Sequence, residues 1–229
     1  ASSVQRALPL ALAGLAHFIE VTEQSIIVNV AYTRWVSDEI YTRSIKAASL
    51  SLHDEGWKMN MSIVDFSERL RAMTCGSHPS IELVYTSSSS HCLTLQWIDP
   101  QTPQVDESSA EVHPALRNAE VALCHAGTSS LEAALAGVPP LTIAPLSWLS
   151  HQVIKYLAQV KYCALPNLCL GRRALPELLA DRCTPAELSS ALIELVADLS
   201  QYQATLDELN EQVSPLDNET LEQIIYPYL

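Results

Sequence analysis

One stretch limits what this chain can fold into more than any other: Asn118 to Pro145, NAEVALCHAGTSSLEAALAGVPPLTIAP. An apolar run from Val121 to Cys124 is broken at Gly127. Three hydroxyls follow (Thr128, Ser129, Ser130), then Glu132 just inside an Ala/Leu-rich segment. Gly137 closes that segment, and Val138-Pro139-Pro140 leads into a second apolar run. The order predicts a strand, a tight turn, a helix N-terminus, a glycine stop and another strand. A helix N-terminus has unpaired N–H groups and a partial positive charge, so it favours anions. Hydroxyls and a glycine at such an end suit a diphosphate, and a carboxylate one turn later can reach sugar hydroxyls. The same residues also make an ordinary capped helix, with Thr128 or Ser129 as the cap and Glu132 as a first-turn carboxylate. Spacing alone leaves both readings open.

Strand and helix patterns alternate along the rest of the chain. Val4 to Glu20 reads as a helix and Ile26 to Ala31 as a buried strand. Ser37 to Leu52 reads as a helix capped by Ser37, with Asp38 and Glu39 in its first turn. Met61 to Met73 predicts another helix. Ile81 to Tyr85 and Cys92 to Ile98 predict strands of a hairpin around Ser87 to Ser90. Pro100 to Ser109 is a polar loop with two prolines. Pro185 to Leu199 and Tyr202 to Gln212 read as helices, and Asn218 to Ile225 as a short closing one. This alternation predicts an α/β fold, a parallel sheet with helices on both faces, and places the Gly127 turn at the carboxyl ends of its strands.

The net charge is −13, from 13 Lys+Arg against 26 Asp+Glu, which argues against nonspecific nucleic-acid binding. Lys155, Lys161, Arg172 and Arg173 gather in one half of the chain, consistent with an anionic ligand there or with chance surface placement. The six cysteines form no CxxC pair and read as reduced core residues, Cys124 within a strand and Cys169 within an apolar run. The histidines lack metal-ligand spacing, so no structural metal is expected. No run reaches the roughly 18 apolar residues of a membrane span. Trp148, Leu149, Val153, Ile154, Leu157 and Val160 form a near-helical stripe that suits packing on a core, or contact with a membrane surface.

A second segment narrows the choice. Leu165 to Arg172 reads LPNLCLGR, and Pro176-Glu177-Leu178-Leu179 follows. With Gly127-Thr128-Ser129-Ser130-Leu131-Glu132, these motifs resemble bacterial lipid A disaccharide synthases, which belong to the two-lobed (GT-B type) inverting glycosyltransferases. Ser150-His151-Gln152 is similar to the His-Gln element of the related peptidoglycan N-acetylglucosaminyltransferase. The match is good from Ala115 to Leu192 and faint over Arg6 to Ile19, and Ile40 to Ser109 departs most. Ser130 replaces the family's second threonine and keeps its hydroxyl. The family's upstream glycine-serine-arginine turn has no counterpart beyond Ala1-Ser2-Ser3, read as its remnant.

The resemblance implies a Rossmann-like donor lobe over residues 1–200, followed by a helical extension over 201–229. It implies that Gly127, Thr128 and Ser129 hold the donor diphosphate and that Glu132 binds the ribose of uridine diphosphate. Asn167 and Arg172 are implied near the phosphates, and His151 and Gln152 near the sugar. The implied reaction moves a sugar, of N-acetylglucosamine type, from a UDP-sugar to a lipid-linked or other hydroxyl acceptor, without metal or cofactor. The catalytic base is expected in an acceptor lobe that this chain lacks; the implied partners are a missing N-terminal lobe or further copies in a homo-oligomer. A cytoplasmic protein, peripheral on the inner membrane, fits that reading. Two alternatives stay open: a non-catalytic nucleotide-sugar-binding module or degenerate relative, and a UDP-sugar epimerase.

Overall fold

The computed structural model describes residues 2–31, 36–74, 80–98, 116, 119–145 and 162–213. Helix α1 (Ser2–Thr22) leads through a short turn into strand β1 (Ile26–Ala31). Its buried side chains Leu12, Leu15, Ala16 and Ile19 follow helical spacing on one face. Helix α2 (Asp38–Asp54) has Ser37 at its N-cap position, but the Ser37 side chain makes no capping bond. The two-residue strand β2 (Lys58–Met59), helix α3 (Ile63–Thr74) and strands β3 (Ser80–Thr86) and β4 (Cys92–Ile98) complete the first half.

The second half opens with β5 (Ala122–His125), α4 (Thr128–Leu135) and β6 (Pro140–Ala144). A five-residue helix α5 (Leu165–Cys169), β7 (Glu177–Leu179), α6 (Pro185–Ala197) and α7 (Ser200–Val213) follow. The predicted helix over Asn218 to Ile225 and the polar loop after Pro100 lie outside the described residues, as does the Trp148 to Val160 stripe.

The strands form two sheets, ordered β1-β4-β3-β2 and β5-β6-β7. The second is wholly parallel, as expected from alternation. The first is mixed, since β1 runs parallel to β4 while β3 and β4 form the predicted antiparallel hairpin. The Ser87 to Ser90 loop is too short for a crossover and closes on itself, with Ser87 N–H donating to His91 O at 2.9 Å. The fold is mixed α/β, with a parallel sheet flanked by helices in the manner of a Rossmann-like lobe.

One large hydrophobic cluster joins α1, α2 and α6 to both sheets, with Leu83, Leu95, Leu141, Ile143 and Leu188 among its members. Phe66 meets Trp97 edge-on at 5.1 Å, and the Trp57 indole N–H donates to Glu20 at 3.2 Å. Each leucine fully buried here contributes roughly 1.5–3 kcal/mol. Gly14 marks where α1 comes closest to α6: a Cβ there would lie 2.5 Å from Leu188 Cδ2. A smaller cluster, Ala134, Leu175, Leu206 and Leu209, seats α4 against α7 and the segment entering β7.

Candidate functional site

The register of the parallel sheet sets the site. His125 lies opposite Ile143, and Ala144 opposite Leu179, so the three strands finish along one edge. In such sheets ligands bind at the carboxyl ends of the strands. β5 ends at His125, the chain turns through Ala126 and Gly127, and α4 starts at Thr128 on that edge.

Gly127 has φ +153° and ψ −162°, a region that residues with a Cβ avoid. A Cβ built there meets nothing within 4 Å among the described residues. Its backbone curls the chain from strand to helix without a side chain over the helix end. Among the described residues no side chain caps α4, and Gly127, Thr128 and Ser129 are exposed. The helix therefore presents uncapped N–H groups at the strand ends, the chemistry of an anion cradle.

The three hydroxyls have different tasks. Ser129 Oγ donates to His125 O at 3.2 Å, and the buried Ser130 Oγ to Gly127 O at 2.9 Å. Both protons stay within the turn, so towards an anion Ser129 offers its N–H rather than its hydroxyl. Thr128 carries the hydroxyl that makes no such bond among the described residues. Glu132 is exposed one turn along the helix. Behind the turn, burial pushes the Cys124 thiol up to about 11; a hydrogen bond at Ser129 opposes the shift and the Glu132 charge adds to it. The His125 ring Nδ1 lies 2.9 Å from Ala126 O, placing a polar ring at the same strand end. A polar residue closing an apolar run before a glycine was the signal for it.

The second motif makes bonds of another kind. Asn167 is fully buried: Oδ1 accepts from the N–H groups of Ala174 (2.9 Å) and Leu175 (2.8 Å), and Nδ2 donates to Leu175 O (2.9 Å). It clamps the loop that follows α5. Arg172 in that loop is exposed and donates from both terminal nitrogens to Glu208 of α7, at 2.6 and 2.5 Å. This pairing raises the Arg172 pKa and lowers that of Glu208, in each case chiefly by hydrogen bonding. The two motif segments meet along the body of α4, through Leu131, Leu135, Leu170 and Leu175. No hydrogen bond links them among the described residues. His151 and Gln152 lie outside the described residues.

Glu177 belongs to a strand that its motif did not reveal. Its buried carboxylate accepts from Cys163 N–H (3.0 Å) and Ala164 N–H (2.9 Å), and the Cys163 thiol sits 3.4 Å away. It ties the approach to α5 onto β7. Burial, then the Glu177 charge and hydrogen bond, push the Cys163 thiol up to about 12. The cysteines correct an expectation: Cys124 is a core residue, but Cys169 is exposed because the one-turn α5 turns it outward.

A profile of the family described as Lipid-A-disaccharide synthetase matches residues 54–224. The lipid-A-disaccharide synthase of Sulfurihydrogenibium sp. (strain YO3AOP1) is 32% identical over 110 residues, covering 48% of this chain and 28% of that protein. The enzyme of the same name from Azotobacter vinelandii is 40% identical over 84 residues, 37% of this chain and 22% of its own. That of Anaeromyxobacter dehalogenans (strain 2CP-C) is 29% identical over 154 residues, 65% of this chain and 39% of its own. The chain thus spans between about a fifth and two fifths of the length of these relatives.

Proposed function

This chain belongs to the lipid-A-disaccharide synthetase family of glycosyltransferases, and on that premise we propose that it is the donor-binding part of such an enzyme, holding a UDP-sugar at the start of α4. The observation that carries the proposal is the uncapped, glycine-led helix end at the carboxyl edge of a parallel sheet. Its N–H groups and the Thr128 hydroxyl hold the diphosphate, and Glu132 takes the ribose hydroxyls. In the transfer, an acceptor hydroxyl attacks the anomeric carbon with inversion and the bond to the diphosphate breaks. The negative charge gathers on the leaving group, where helix N–H groups stabilise it. Arg172 joins them by exchanging the Glu208 carboxylate for a phosphate, both of which suit a bidentate guanidinium. Asn167 acts indirectly by fixing the loop that carries Arg172.

The sugar, proposed to be of N-acetylglucosamine type, the lipid-linked acceptor and a place at the inner-membrane surface follow from the family alone. No helix among the described residues is long and apolar enough to cross a membrane. The base that activates the acceptor is proposed to lie in the acceptor lobe of such an enzyme. Titration calorimetry with uridine diphosphate, its N-acetylglucosamine ester and adenosine diphosphate tests the reading. Glu132→Ala is expected to cost about tenfold in uridine diphosphate affinity, the scale of one hydrogen bond to a charged group, and to leave stability nearly unchanged. An unaltered affinity would remove Glu132 from the site.

A further inference from the structure

Three polar residues lie side by side across the parallel sheet. The register sets Cys124 of β5 opposite Thr142 of β6, and Thr142 opposite Glu177 of β7, so their side chains share one face. α4 covers that face, since the Cys124 thiol meets Ser129 O at 3.6 Å. All three residues are buried. Among the described residues Thr142 Oγ1 has no hydrogen-bond partner, and neither Thr142 nor Cys124 bonds to the Glu177 carboxylate. Its bonds go elsewhere, and to a single oxygen: Glu177 Oε2 accepts from the N–H groups of Cys163 and Ala164 at 3.0 and 2.9 Å. Burying a carboxylate is costly, and an apolar side chain of similar volume often serves a core as well. Stability alone therefore does not account for a glutamate at this place.

What those bonds do is close a loop. Cys163 and Glu177 bound the segment that carries α5 and Arg172. Asn167 ties the middle of the segment to Ala174 and Leu175, and Arg173 donates to Glu177 O at 2.8 Å. Glu177 is thus used twice. Its carboxylate holds the start of the segment, and its backbone oxygen holds the residue next to Arg172. Both anchor points lie on β7, a strand of the sheet whose edge bears the Gly127 turn.

We propose that Glu177 is a positioning residue for the donor: it pins both ends of the 163–177 segment to β7 and so sets where the Arg172 guanidinium meets the diphosphate, a role that rests on Arg172 holding a donor phosphate as proposed for the site. Glu177 itself touches no part of the donor. A guanidinium recognises phosphate through two parallel bonds, which demand a fixed approach, and an exposed arginine on a loop has that only if the loop is held. Buried hydrogen bonds behind a site are the usual means of holding it. With the carboxylate gone, the N–H groups of Cys163 and Ala164 lose their acceptor, and the segment stays tied to β7 through Arg173 alone among the hydrogen bonds named here.

A double-mutant cycle on the full natural chain, read by calorimetry with uridine diphosphate, tests this. Glu177→Met removes the acceptor at similar volume. It is expected to weaken binding about fivefold when Arg172 is present, and by less than about twofold when Arg172 is already alanine. Glu177→Gln keeps a carbonyl oxygen for the two N–H groups and is expected to stay within about twofold of the unaltered chain. Equal losses in both Arg172 backgrounds, or no loss in either, would overturn the proposal, because a residue that serves stability alone does not act through Arg172. If Glu177→Met does not fold, Glu177→Asp draws the carboxylate back by one methylene and is read through the same cycle. Loss confined to the background with Arg172 supports the proposal, and any other pattern overturns it. Failure of the donor-site reading shows separately, as an unaltered chain that binds no uridine diphosphate or an Arg172→Ala chain that binds it equally well, and either result overturns both.

Discussion

Arg172 and Glu208 face each other through two parallel hydrogen bonds, at 2.6 and 2.5 Å, linking the loop ahead of β7 to α7. A guanidinium held by a planar carboxylate is already arranged for a phosphate. Arg172→Ala is expected to weaken uridine diphosphate binding about tenfold, the scale of a charge-assisted hydrogen bond, with little loss of thermal stability at this exposed site. Glu208→Gln is expected to tighten it by freeing the guanidinium. The lowered Glu208 pKa means that the pair's stabilisation is present above the ordinary carboxylate range and is lost as pH falls through the lowered value. Calorimetry on both variants checks the exchange; weaker binding by Glu208→Gln would refute it.

Gly127→Ala should act through the backbone. Among the described residues nothing crowds a Cβ built there, so the cost comes from φ +153°, which side chains avoid. The expected cost is about 1–3 kcal/mol, or a re-formed turn that turns the helix end away. Uridine diphosphate affinity should drop more than the stability change alone accounts for. Urea unfolding and calorimetry on the same sample separate the two effects.

Asn167→Ala should do the opposite. It strands two N–H groups and one carbonyl in the interior, so a loss of about 2–4 kcal/mol is expected. The folded fraction should keep its nucleotide affinity within a few fold. Lost affinity at unchanged stability would make Asn167 a direct ligand contact instead.

Alkaline pH should destabilise the fold through its thiols. Unfolded, Cys124 ionises near 9.0, but folded only at about 11. As pH rises past 9 the unfolded chain sheds a proton that the native chain keeps, so stability falls, then levels off once the folded thiol also ionises. Cys124 contributes up to about 3 kcal/mol to that fall. Cys163, at about 12 but partly exposed, adds a smaller share, and Tyr85, raised by burial to about 12, joins from pH 10. Cys124→Ala should flatten the decline, measured as denaturation midpoints between pH 8 and 11.

What could be read beforehand was mostly local. The Val121 run, the Gly127 break and the Gly137 stop lie within one short segment, and neighbouring residues decide them. Gly137 N–H bonds to Ala134 O and Val138 N–H to Ala133 O, closing α4 where the glycine foretold. The uses of the polar groups were not legible, because they depend on partners the chain brings back. Nothing near Asn167 announces that Ala174 and Leu175 will return to it, or near Arg172 that Glu208 will pair with it. β7 escaped because three residues are too few for a periodic pattern, and its first is a buried glutamate. The mixed first sheet follows from the one hairpin, which was foreseen without its effect on strand direction.

Diffraction from crystals soaked with uridine diphosphate locates the donor site itself. Diphosphate density is expected within hydrogen-bond distance of the N–H groups that open α4, with the ribose beside Glu132. Density elsewhere on the chain, or none there when calorimetry shows binding, would contradict the proposed site.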